Sequence, residues 1–70
     1  MKYCNVVTYT QYEIGRGMHI AHIAHLYRNR ILTARGAERI LRRQWRAQYI
    51  GNVTEITLPC VVQVESLVVA

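Results

Sequence analysis

Between Thr33 and Gly51 the sequence offers one helix with signals at both ends, and β-branched residues crowd both of its flanks. The Thr33 hydroxyl can accept a bond from an otherwise unpaired amide of the first turn, which marks an N-cap. Gly51 stands just past the end, where a left-handed residue commonly closes a helix. At about 100° per residue, Ala34, Ala37, Ile40, Leu41, Gln44 and Gln48 share one face. Arg35, Arg39, Arg42 and Arg46 form an opposite ridge, with Arg43 beside it. Trp45 falls on the border, where its ring can cover the edge of a core while an arginine stacks over it.

The flanks supply what this helix must pack against. Residues 3–14 are largely β-branched and aromatic and read as a strand, ended by Gly15-Arg16-Gly17, where glycine frees the backbone to turn. Adjacent Val6 and Val7 break the alternation, so this strand carries a bulge or is buried on both sides. Residues 18–32 have two readings. Ile20, Ile23, Ala24, Tyr27 and Ile31 fit one apolar helical stripe, which favours a helix. The rival is a second strand hairpinned to the first through Gly15 and Gly17, and it sets histidines on both faces. After the helix, Val53–Leu58 and Cys60–Glu65 alternate as strands, with Pro59 between them at an edge, bulge or bend. Glu65-Ser66 can turn the chain so that Leu67-Val68-Val69 forms a short last strand. The expected fold class is α+β: a single domain over 1–70, with an antiparallel sheet of three to four strands and one or two helices on one face.

Length sets the limits on all of this. Seventy residues hold one domain, and a chain of this size buries only about 60% of the surface it exposes when unfolded. No run approaches the roughly 20 apolar residues that a membrane-spanning helix needs, so no membrane association is expected. Met1 to Asn5 lack the apolar core of a secretory signal, so a cytoplasmic location is expected. Cys4 and Cys60 read as reduced thiols buried in apolar strands; the alternative, one disulfide closing most of the chain, would contribute about 4 kcal/mol.

Charge is distributed unevenly. Lysine and arginine number nine against four acids, all four of them glutamate. The eight arginines lie between Arg16 and Arg46, where Glu38 is the only acid. Same-helix pairing therefore cannot neutralise the ridge, and like charges at this spacing repel. Such a ridge attracts phosphate or carboxylate surfaces, and the guanidinium fork can hold either bidentately. The expected partner-binding residues are Arg35, Arg39, Arg42, Arg43, Arg46 and Trp45.

The catalytic inventory is thin. With no aspartate, two-metal phosphoryl chemistry has few ligands to work with, and Ser66 stands outside any nucleophile-elbow context. Neither a phosphate-binding glycine loop nor a dinucleotide fingerprint is present. His19, His22 and His25 recur every three residues, yet on a helix only adjacent pairs would converge and no acid or thiol is near in sequence. They read as partly solvated polar residues rather than as metal ligands or the centre of a small ribonuclease. No cofactor, no metal and no enzymatic activity are expected.

The run from Thr33 to Ile56 has Ala37-Glu38-Arg39-Ile40 on the helix, then Gly51-Asn52-Val53-Thr54-Glu55-Ile56 leading into a strand. This layout resembles that of small phage-encoded inhibitor proteins, among them anti-CRISPR proteins and the T7-type phage inhibitor of host RNA polymerase. In the latter, the Val53-Thr54 region followed by Pro59-Cys60-Val61 is similar too. The resemblance covers about a third of the chain. It implies a non-enzymatic protein that docks on a host nucleoprotein complex and blocks its nucleic-acid binding; it assigns no site residue, and those come from the charge argument. The alternative is direct, largely non-specific binding of DNA or RNA, with the ridge on phosphates. A homodimer through the edge of the valine-rich C-terminal strands is a further expectation.

Overall fold

The computed structural model describes residues 1–13, 17–48 and 58–69. Its elements are β1 (Tyr3–Glu13), β2 (Met18–Arg28), α1 (Ala34–Gln48) and β3 (Cys60–Val68). They form a three-stranded antiparallel sheet in the order β2-β1-β3 with one helix packed on it, a small α+β domain.

β1 is the central strand. Against β2 it pairs without interruption from Tyr3↔Arg28 to Glu13↔Met18. Gly17 lies in the intervening turn at φ 62°, a left-handed conformation that glycine adopts without a Cβ penalty. The helix favoured for residues 18–32 is therefore corrected: residues 18–28 form β2. On the strand, the apolar residues of the supposed helical stripe divide between the two faces. Ile20, Ala24 and Leu26 turn toward α1, while Ile23 and Tyr27 are exposed on the other side. Histidines do occupy both faces, and two of them meet a tyrosine across the ladder. His22 stacks on Tyr9 with ring centroids 5.3 Å apart, and His19 tilts against Tyr12 at 5.0 Å. Such cross-strand pairs reward the strand in a way that a helical count cannot register.

β3 runs antiparallel to β1 from Tyr3↔Val68 to Thr10↔Cys60, with a shift between Thr8 and Tyr9 that leaves Val62 as the extra residue of a bulge. Of the two readings of β1, a bulge or burial on both sides, the bulge sits on β3 instead, while β1 does carry two adjacent buried residues, Cys4 and Asn5, on opposite faces. The expected turn at Glu65-Ser66 does not occur, and β3 passes straight through it. Ser66 instead donates its hydroxyl hydrogen to Asn5 Oδ1. Residues 53–57 of the expected strand over Val53–Leu58 and the Gly51 cap lie outside the described residues, and Leu58 is not part of a strand.

The core lies between sheet and helix. Val7, Leu26, Leu32, Ala37 and Leu41 form its buried cluster, flanked by Tyr9, Ala24, Ile40, Val61 and Val64. Asn5 is fully buried beside it and ties three segments together. Its Nδ2 donates to the carbonyls of Leu26 (3.1 Å) and Arg30 (3.2 Å), and its Oδ1 accepts from the Leu32 amide (3.0 Å). The connection from β2 to α1 is therefore fixed by a side chain of β1, with the amide's donors and acceptor satisfied as burial demands. Thr33 then caps α1 as its sequence position predicts: Oγ1 accepts from the Gly36 amide at 3.0 Å.

The two cysteines are free, Cys4 buried and Cys60 exposed, which corrects the reading of two buried thiols. They pair with Leu67 and Thr10, so six residues of β1 separate their rows. That is roughly 20 Å along a strand, far beyond disulfide reach. Among the described residues, no helix is long and apolar enough to cross a membrane.

Candidate functional site

Packing decides which side of α1 remains available. The buried stripe is Ala37, Leu41 and Trp45, with Glu38, Ile40 and Arg42 half-buried at its margins. Relative to the face read from the sequence, it is rotated toward Trp45, and Gln44 is exposed. Trp45 retains only 8% of its surface and belongs to the core, not to a stacking platform. It closes one end of the layer between helix and sheet beside a cavity of about 250 Å³, which Tyr9, Gln11 and His22 line from the sheet and Leu41 and Gln44 from the helix.

Arg42 stays on the arginine side of the helix but is half-buried and engaged by the chain itself. Its guanidinium pairs with Glu38 Oε1 at 3.1 Å, and its Nε donates to the Pro59 carbonyl at 3.1 Å. Glu38 Oε2 in turn accepts from the Val61 amide at 3.0 Å. This pair anchors the middle of α1 to the start of β3 and satisfies backbone groups that the bulged strand end presents. Glu38 is thereby consumed, so it does not offset the remaining cations.

Arg35, Arg39, Arg43 and Arg46 are exposed on the side of α1 that faces away from the sheet. Among the described residues, none of the four has an acidic partner. Arg35, Arg39 and Arg46 line a surface depression of about 240 Å³ together with Glu38 and Arg42. The helix beneath is held by its apolar stripe, by the Thr33 cap and by the Glu38–Arg42 anchor. These four cations therefore project from a fixed platform. Their long stems leave the forks free to meet planar anions such as phosphates and carboxylates.

The histidines do not converge. On β2, residues three apart point to opposite faces, so His22 faces α1 while His19 and His25 face away. Among the described residues, no group of three histidine, cysteine or acidic side chains comes close enough to hold a metal. The Tyr27 phenol is raised above its ordinary pKa of 10.0, first by its hydrogen bond with the Cys4 side chain and then by the electrostatic effect of that neighbour. This pair lies at the far end of the uncovered side of the sheet and orients no group toward the arginines.

What pattern reading missed was the inward turn of Arg42 and the burial of Trp45. The available signal was the i,i+4 spacing of Glu38 and Arg42, the one such acid–base pair in the helix. No family model, curated protein or solved structure matches this chain.

Proposed function

We propose that this chain is a non-enzymatic docking protein. It sets the outer face of α1 against an anionic surface of a host nucleoprotein complex and blocks nucleic-acid binding there, in the manner of the phage-encoded inhibitors its helix–glycine–strand layout resembles. The observation that carries the reading is four arginines, Arg35, Arg39, Arg43 and Arg46, exposed on one side of a firmly seated helix, none of them ion-paired to an acid among the described residues. Like charges gathered this way repel by a few tenths of a kcal/mol per pair, a cost that an anionic partner offsets. A basic face of this kind also accelerates encounter with any polyanion.

The test is capture of nucleoprotein complexes from host lysate with and without nuclease, using the wild-type chain and a variant with all four arginines changed to alanine. The wild type retains a protein complex after nuclease treatment and competes with that complex's nucleic acid; the variant does neither. Equal capture by the variant overturns the assignment of the face. If capture disappears with nuclease instead, the chain binds nucleic acid directly, and four phosphate contacts would give a log–log salt slope of about −3.6 on duplex DNA.

A further inference from the structure

The side of the sheet away from α1 is organised in transverse rows that the strand registers define. Tyr27, Cys4 and Leu67 form one row, His25, Val6 and Glu65 the next, and Ile23, Thr8 and Gln63 the third. No arginine or lysine stands in these rows, although the helix side is dense with arginine. Ile23, Tyr27 and Leu67 keep 67%, 51% and 50% of their surface exposed. The described core on the other side is small, and oligomerisation is one of the ways in which a chain of this size supplements such a core.

We infer that this bare face packs on the same face of a second copy, about a two-fold axis running along β1. That operation keeps every row level with itself and places β2 of one copy over β3 of the other. Tyr27 then lies over Leu67 of its mate, His25 over Glu65, Ile23 over Gln63, and Val6 meets Val6 at the axis. Apolar meets apolar where Tyr27 faces Leu67 and Val6 faces Val6, Ile23 packs on the aliphatic stem of Gln63, and the imidazole meets the single carboxylate of these rows, twice per interface. No like charges oppose each other. Three strands about 4.8 Å apart and some 36 Å long offer a footprint of about 500 Å² per copy. The pair reaches about 1,000 Å² in total, the lower bound of a specific interface, so its complementarity has to carry it. Both helices remain on the outside of the resulting four-layer sandwich, so the inference does not rest on the proposed role of the arginines.

Sedimentation of the full chain tests it. The wild type should sediment with twice the mass of 8.1 kDa at micromolar concentration. His25→Glu sets two carboxylates over each other at both symmetric contacts and should weaken the dimer by about a hundredfold, or tenfold per contact. Adding Glu65→Arg to that variant exchanges the charges and should restore most of the loss, which separates lost pairing from a damaged fold. A wild type that stays at 8.1 kDa overturns the inference, as does a dimer that His25→Glu leaves unweakened or that the exchanged pair fails to rescue. Loss of anion binding in the four-arginine variant with the dimer intact, or the converse, tells the two readings apart.

Discussion

The two sides of the sheet obey the same alternation and have come to opposite compositions. Toward α1, β1 presents Asn5, Val7 and Tyr9, and nearly everything there is buried and partnered. Away from α1 the same strand presents Cys4, buried, and then Val6, Thr8 and Thr10, half-covered, between neighbours that are mostly exposed. On the helix side the charges are pushed to the outer surface of α1; on the bare side they are nearly absent. A short chain with one helix can cover only one side of its sheet. Apolar residues on the other side therefore report on what happens after folding, whereas those under the helix report on folding itself.

The sharpest way to break this contrast is to remove comparable apolar groups from each side. Leu41→Ala, beneath the helix, should cost about 2–5 kcal/mol, and Ile23→Ala on the bare side under about 0.5 kcal/mol at concentrations low enough to keep the chain monomeric. Urea unfolding followed through buried Trp45 measures both. Similar losses would mean that the bare side is covered within a single copy. Next in size, Asn5→Ala leaves the Leu32 amide and the Leu26 and Arg30 carbonyls without their partner and should cost about 2–3 kcal/mol by the same assay. A neutral result would show that the β2–α1 connection holds by packing alone. The smallest effect separates two arginines of one helix. Arg42→Ala should lose about 1 kcal/mol, because the Pro59 carbonyl and Glu38 lose a donor. Arg39→Ala should leave stability within about 0.5 kcal/mol and weaken only anion binding. Interchangeable behaviour of the two would erase the distinction between anchor and docking face.

Much of the architecture was legible along the chain. β1, the start of α1, its Thr33 cap and a strand from Cys60 follow from local chemistry: β-branched runs, a hydroxyl before an apolar period, alternation after Pro59. β2 was not, because Ile20, Ile23, Ala24 and Tyr27 satisfy a helical count as well as a strand does. What decides between them is a partner of equal length, with Tyr9 and Tyr12 waiting opposite His22 and His19. The arginine face was legible as a concentration of charge and illegible in its membership. Spacing alone sets Arg42 level with Arg39, and only the approach of β3 shows that one of them is turned inward.

By itself, the sequence determined that this chain would be a small α+β domain with a strongly basic helix, since propensity, capping and charge are carried by neighbours in the chain. Tertiary structure decided which apolar residues form the core, where Trp45 goes, and which cations remain free. Those outcomes depend on groups that meet only across the sheet, and no local pattern encodes a contact between Glu38 and Val61 or between Asn5 and Ser66.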